Sequence, residues 1–430
     1  MARAARALVF VLLGFGAPAW AQTTAYTGAR VIDGTGAVIA DAVVIVRDGR
    51  FVEVGPAGRV QVPASATRVD LTGKTLMPGI VNAHGHLSPV NGFRTSPDLY
   101  TRDNLVRQLR AYATYGITTV FSLGDDQGDA FALRAEQATA PPDRARVYVA
   151  GPIVYTDTAE AARVETDKVI ALKPDLVKIR VDDNLGSSKK MPEAAWRATL
   201  DRARAAHLTL AAHIFYLADA TLLAEAGNTF IAHSVRDLPV DQRFLSAMKA
   251  SNACYSPTLM REVSTFAYDE TPSWTTDPFF RRGYGADIVA ALSDAGRQAK
   301  FKASNAYAQG QKYKAGLEVA KANLKKVHDA GIRIAFGTDS GPAGRFQGYF
   351  EHLELEMMVQ AGLTPMQAIV SATATAADCW HKAGELGAIT RGARADFLVL
   401  DRNPLDDIRN TRTIATIVIG GRTFTPPAVR

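Results

Sequence analysis

Through the middle of the chain, short apolar runs alternate with longer stretches whose apolar positions recur every three or four residues. The runs fall at 79–82, 117–121, 146–150, 175–179, 208–212, 229–232, 254–257 and 332–336. Runs this short and uniformly apolar predict buried strands, and the stretches between them, such as 192–206, predict helices with one apolar face. Eight strands alternating with helices pair in parallel, and eight is the number that closes a (β/α)8 TIM-type barrel, here over about 77–385. A doubly wound open sheet is the alternative. The two chain ends have a different texture. Residues 42–46 and 51–54 are β-rich runs around the hairpin signal Asp48-Gly49-Arg50, and 395–400 and 414–419 repeat the pattern before Gly420-Gly421. They predict a small β-sandwich domain built from both ends, 22–76 and 386–430, with the barrel inserted between them.

The stretch 259–331, between the seventh and eighth runs, is too long for a simple crossover. It carries Phe266, Tyr268, Trp274, Phe279, Phe280 and Tyr284, then a long helical pattern with Leu317, Ala320, Leu324 and Val327 on one face. Such an insertion either covers a site at the catalytic end of the barrel or packs against its outer helices.

Ahead of that frame, Met1-Ala2-Arg3-Ala4-Ala5-Arg6, an apolar run over 7–15 and Ala19-Trp20-Ala21 before Gln22 follow the order of a secretory signal peptide, residues 1–21. The apolar run falls short of the ~20 residues that span a bilayer. The expectation is export, to a periplasm or beyond the cell, with no stable membrane anchor. Composition changes this picture little: 430 residues, 47% apolar and 21% charged, describe a globular protein able to bury a large core. The net charge of +6, or +4 once Arg3 and Arg6 leave with the leader, is spread along the chain and argues against nucleic acid as a partner. A small-molecule substrate is the expected partner, with a homo-oligomer left open. Cys254 and Cys379, the two cysteines, read as buried free thiols, with a bridge as the alternative in an oxidising compartment.

The chemistry concentrates at the ends of the predicted strands. His84 and His86 form a His-x-His just past the first run, where side chains at i and i+2 share a face. Lys178 lies in the fourth run, His213 and His233 end the fifth and sixth, and Asp339 follows the eighth in Phe336-Gly337-Thr338-Asp339-Ser340. All fall at carboxyl ends, the face on which barrel enzymes place their chemistry. A lone histidine would read as a core residue. Four of them with an aspartate, in one phase, predict a metal site. His207, His328 and His381 read as structural, and His352 is left without a role.

These segments resemble the amidohydrolase superfamily across essentially the whole mature chain. They are Met77-Pro78-Gly79-Ile80-Val81-Asn82-Ala83-His84-Gly85-His86, residues 176–179, Ala211-Ala212-His213, Ile231-Ala232-His233 and Gly337-Thr338-Asp339-Ser340, with 361–365 and 392–396 as later landmarks. Within it the chain looks most like the imidazolonepropionase-like branch that includes binuclear zinc Xaa-Pro dipeptidases. The resemblance implies two divalent ions of zinc type, with His84, His86 and Asp339 on the first and His213 and His233 on the second. Lys178 would bridge them as a CO2-derived carbamate, because a bare ammonium repels a cation.

The implied reaction is hydrolysis of an amide-type C–N bond, in a dipeptide or N-acyl amino acid, by a metal-activated hydroxide with Asp339 as catalytic proton carrier. Deaminases of the family usually carry a glutamate three residues after the fifth-strand histidine, where this chain has Tyr216. Tyr216 thus becomes a candidate donor to a substrate carbonyl, beside the plainer reading of a packed tyrosine. Arg236 and Arg261 are candidate clamps for a substrate carboxylate. Against that reading stands a pairing of both with local acids such as Asp237 or Glu262. Lactone or ester hydrolysis at the same metals is the alternative activity, and a silent binding scaffold is a third; scaffold relatives typically lose ligands, and all six are present here.

Overall fold

A computed structural model describes residues 23–139 and 143–428, so the expected leader lies outside the described residues. The eight middle runs are strands: Ile80–Gly85, Ile117–Ser122, Arg146–Val149, Val177–Arg180, Leu210–His213, Phe230–Ala232, Cys254–Ser256 and Arg333–Ile334, named below in that order as the first to the eighth. Helices separate them, and each buries one stripe; Glu193–Ala205, for example, buries Ala195, Trp196, Thr199, Leu200 and Ala203. The strands are buried on both faces. Val81, Ala83, Phe121, Ala211, Phe230 and Ala232 pack inward together, while Ile80, Ile117, Val147, Val177 and Ile231 pack against the helices. That double burial is why the runs are continuously apolar rather than alternating.

The strands form two parallel arcs, one of the first three and one of the fourth to the eighth. The arcs meet at two seams through isolated bonds instead of continuous ladders. At one, Val154 bridges to Ile179 and its amide donates to the Lys178 carbonyl at 2.9 Å. At the other, Gly85 bridges to Ser340 and the Ala83 amide donates to the Phe336 carbonyl at 2.8 Å. The architecture is α/β of TIM type.

Both chain ends enter one hydrogen-bonded mixed sheet of eight strands. Its order is Arg422–Phe424, Ile414–Ile419, Phe397–Leu400, Thr75–Pro78, Thr24–Ile32, Val38–Arg47 and Arg50–Pro56, with Thr67–Asp70 beside Thr24–Ile32. The ends join where Thr75–Pro78 pairs antiparallel with Phe397–Leu400. The predicted hairpin turns at Asp48 (φ 53°) and Gly49 (φ 73°), the left-handed pair that an Asp-Gly dipeptide tolerates at small cost. A buried pair from Arg146 to both carboxylate oxygens of Asp396, at 3.0 and 3.1 Å, ties this sheet to the three-strand arc.

Two sequence readings change. Cys254 and Cys379, read as free thiols, are bonded to each other. The cause is packing: the helix Ala376–Cys379 and Trp380 close one end of the inward core, bringing the two Cα atoms to 6.0 Å, within disulfide reach. In the insertion, Trp274, Phe279, Phe280 and Tyr284 pack on Tyr115, Phe346 and Tyr349. These aromatics therefore pack partly on helix-borne Tyr349 and the end of the helix Arg102–Thr114, and partly on Phe346 in the connection after the eighth strand. His352 has a structural setting there: its ring nitrogens lie 2.9 Å from Thr411 Oγ1 and 2.8 Å from the Tyr115 carbonyl.

Candidate metal centre

The seam at Gly85 and Ser340 builds the first half of the site. His84 closes the first strand and His86 follows it, and their Nε2 atoms lie 3.5 and 2.8 Å from Asp339 Oδ1. One ligand atom from each of the three lies within 4.8 Å of the others. The same backbone that joins the arcs delivers Asp339: the amides of Thr338 and Asp339 both donate to the His84 carbonyl, at 3.1 and 2.7 Å. Asp339 itself has a left-handed backbone, φ 58°. Gly337 permits the approach, since a Cβ there would lie 2.6 Å from both His84 Cβ and Ser256 Oγ.

The seam at Val154 and Ile179 and the five-strand arc supply the rest. Lys178 is buried, with Nζ 3.5 Å from His84 Nε2. His213 Nδ1 and His233 Nε2 lie 2.9 Å apart, and the His233 ring stands 4.5 Å from that of His84. The structure thus gathers all six residues picked from the strand ends.

Burial sets their charge. It pushes the His213 imidazole down to about 4, against the pull of Asp182, and holds His84 and His233 well below the usual imidazole range. It also pushes the Lys178 amine down to about 8. Burial works against the Asp339 charge too, yet the Arg345 guanidinium, with His86 and His84, keeps that carboxyl well below the usual carboxylate range. At neutral pH His84, His213 and His233 are therefore neutral imidazoles and Asp339 is a carboxylate. His213 Nδ1 and His233 Nε2 lie at hydrogen-bond distance, 2.9 Å, with the donor set by the tautomers of the two rings. Nitrogen and oxygen donors in this state are the set a zinc-type ion takes, so the residues fit the implied metal.

Two supports escaped the sequence reading. Arg345 Nη1 donates to Asp339 Oδ2 and its Nε to Ser264 Oγ at 3.1 Å. Glu351 is fully buried. Its Oε1 accepts from Asn82 Nδ2, Thr338 Oγ1 and Ser340 Oγ at 2.6, 2.8 and 2.6 Å, which locks residues flanking His84 and Asp339 on both sides of the seam. Nothing local marks Arg345. Glu351 was visible only as one of two acids, with Glu354, on the helical face that also carries Leu355 and Met358.

The candidate substrate residues are engaged elsewhere. The Tyr216 hydroxyl donates to Asp183 Oδ1 at 2.8 Å, under the Lys190 ammonium. Arg236 is 1% exposed; its Nη1 donates to the Ile214 and Ser234 carbonyls, and its Nε lies 3.1 Å from Glu262 Oε1. Arg261 Nη1 donates to both oxygens of Glu262, at 3.2 and 3.0 Å. Both arginines therefore sit on Glu262, the arrangement weighed against a substrate clamp, whereas Asp237 instead accepts from the Leu217 amide.

A TIM-type scaffold with a buried His–Asp cluster at the carboxyl ends of its strands defines a class of barrel enzyme. The family follows from comparison: the amidohydrolase family model matches residues 75–424, and the chain belongs to that family. It is 25% identical over 379 residues to an imidazolonepropionase of Streptomyces griseus subsp. griseus, covering 85% of this chain and 86% of that protein. It is 35% identical over 105 residues to an ochratoxinase of Aspergillus niger, but there the match spans 23% of this chain and about a fifth (21%) of the relative. Among solved structures, a Xaa-Pro dipeptidase with bound methionine in the active site superposes with TM-score 0.75 at 18% identity, over 94% of this chain and 100% of that one. The A. niger ochratoxinase structure gives TM-score 0.71 at 19% identity, over 95% and 97%. Likeness at that identity speaks for the fold.

Proposed function

We propose that the protein is a binuclear metal-dependent amidohydrolase that cleaves an amide-type C–N bond in a small exported-compartment substrate of dipeptide or N-acyl amino acid type. The observation that carries this reading is the convergence of six donor groups, four buried and two part-buried, at the strand ends, together with membership of the amidohydrolase family. His84, His86 and Asp339 would hold one ion, His213 and His233 the other, and carboxylated Lys178 would lie between. A Lys178 amine lowered toward 8 supports the last point, since only the neutral amine adds to CO2. Bound there, the ions, of zinc type, would supply a water of lowered pKa and polarise the scissile carbonyl.

The remaining work falls to the chain. Asp339 takes the proton of the attacking water on its carboxylate and returns it to the leaving nitrogen, and Arg345 holds that carboxylate in place between the two transfers. Tyr216 can donate to the substrate carbonyl only by giving up its bond to Asp183. A substrate carboxylate is favoured by local charge, because among the described residues Arg236, Arg261 and Arg345 pair with two acids, Glu262 and Asp339. Arg261 is the better clamp of the two picked from the sequence, since Arg236 is closed in by carbonyls. A lactone or ester hydrolase is the second reading; the same donors would serve it.

The test is elemental analysis of freshly purified protein, followed by assay of the zinc-loaded enzyme on dipeptides, N-acyl amino acids, lactams and lactones. The expected result is two ions per chain, at least one lost in Lys178→Ala, and turnover of the amides. One ion or fewer in wild type overturns the binuclear reading, and turnover of lactones alone moves the activity to esters.

Two further parts of the reading concern the whole chain. Residues 1–21 act as a cleaved leader for export, which a Cys254–Cys379 bond supports because disulfides persist in oxidising compartments. Among the described residues no helix is long and apolar enough to cross a membrane. Residues 22–76 and 386–430 form one β-sandwich unit around the barrel at 77–385. Burial on both sides of their sheet supports it, with Val44, Val46, Phe51 and Phe397 in one cluster and Ala25, Val43 and Ile45 in another.

A further inference from the structure

His213 and His233 each turn one ring nitrogen inward, His213 Nδ1 toward His233 Nε2, and so turn the other outward. The outward atoms have dedicated neighbours. His233 Nδ1 lies 2.6 Å from Thr258 Oγ1, on a residue whose left-handed backbone (φ 48°) holds it against the ring. His213 Nε2 lies 3.4 Å from Asp182 Oδ2. Both of those atoms are buried and, among the described residues, neither makes a hydrogen bond, so two orphans face each other at 3.4 Å. Asp182 is itself fully buried, and its other oxygen accepts from Arg180 Nε at 3.2 Å.

A neutral imidazole has one N–H and one lone pair, and a carboxylate can only accept. Facing Asp182, His213 Nε2 must carry the hydrogen, which leaves the lone pair on Nδ1, aimed at the centre of the cluster. We infer that Asp182 is a positioning residue that fixes the tautomer and rotation of His213 for metal binding, while Thr258, beside His233 Nδ1, restrains only the rotation of the second ring. Asp182 gains its place from the strand itself: it lies four residues past Lys178, in the same alternating phase, so one strand and its extension supply both a donor and a donor's support. Outer partners of this kind typically change metal affinity 10–100-fold when removed. The inference rests on the two-ion reading above.

The competing role is structural, with Asp182 as counter-charge to Arg180 and nothing more. Three measurements on chelator-stripped protein separate the two: zinc affinity and stoichiometry, melting temperature with and without zinc, and the His213 tautomer by nitrogen NMR of histidine-labelled protein. The variants are Asp182→Asn and Asp182→Glu. In wild type His213 should carry its hydrogen on Nε2 without any metal present. Asp182→Asn should melt like wild type when metal-free, yet bind its weaker ion at least tenfold less tightly, keep the tighter one, and show a mixed His213 tautomer. Asp182→Glu should recover part of the affinity. Equal zinc affinity and an unchanged tautomer in Asp182→Asn overturn the inference, as does an equal loss of melting temperature with and without zinc. A wild type that saturates at one ion overturns the two-ion reading instead, and the tautomer then still decides the role of Asp182.

Discussion

The two arcs of the barrel use their strands differently. In the three-strand arc only the first strand contributes donors, His84 and His86, and the other two are structural. In the five-strand arc Lys178, His213 and His233 come from successive strands, and Asp339 follows the last. Within each arc the pairing is regular; where the arcs meet it shrinks to single bridges, and Lys178 stands at one seam and His84 with Asp339 at the other. Lys178 and His213 sit inside a regular ladder, whereas His233 and Asp339 reach the cluster just past their strands, where the backbone leaves the ladder. Left-handed backbone at His233 (φ 80°) and Asp339 (φ 58°) marks those departures. Strain of this sort persists where the surroundings over-determine it, here through the Glu351 bonds and the seam amides.

The largest expected effect strikes the seam. Asp339→Asn keeps a similar shape but cannot carry the proton, so turnover should fall by about 10²–10⁴-fold while most of the metal stays bound. Single-turnover kinetics with metal analysis on the same sample checks it; unchanged turnover removes Asp339 from its role.

Next comes the difference in stapling. The disulfide pins the seventh strand, in the five-strand arc, across a sequence separation of 125 residues. Among the described residues the other arc has no such bond. Replacing both cysteines by alanine should cost about 4 kcal/mol in denaturant unfolding. Amide exchange should quicken first in the fifth to seventh strands; quickening in both arcs alike would dissolve the contrast.

A smaller effect tests whether the five-strand arc also reads the substrate. Arg261→Met should raise KM for an acidic substrate about tenfold, or ~1.4 kcal/mol, and leave its neutral amide almost unaffected. Equal losses on acid and amide would assign Arg261 to holding Glu262 and nothing else.

The smallest signal is a pH slope shared by the arcs. Each holds one buried carboxyl that burial pushes up to about 8: Asp126, accepting from Ser122 Oγ and the Ala150 amide, and Glu354, accepting from the amides of Leu259 and Met260. Both stay protonated in the folded protein after the unfolded chain has ionised near pH 4. The folded state then binds more protons than the unfolded one, so stability falls as pH rises from about 4 to 8, by at most ~1.4 kcal/mol per pH unit per group. Asp126→Asn and Glu354→Gln should each flatten the slope in urea titrations across that range. A variant with the wild-type slope would mean its carboxyl is ionised in the fold, held by the amides that face it.

The sequence by itself determined the eight middle strands, the union of the two ends in one sheet, the Asp48-Gly49 hairpin and the set of six residues that meet at the strand ends. Each of these follows from local rules, because period decides which face a side chain takes and a strand end decides which side of the barrel it reaches. Partners were another matter. That Cys254 finds Cys379, that Arg236 and Arg261 share Glu262, that Tyr216 turns to Asp183, and that Arg345, Glu351 and Asp182 stand behind the donors were decided only by the tertiary structure. A strand-end position fixes the direction of a Cα–Cβ bond but not what lies at the far end of a long side chain. That depends on loops and helices tens to hundreds of residues away, which no local periodicity encodes.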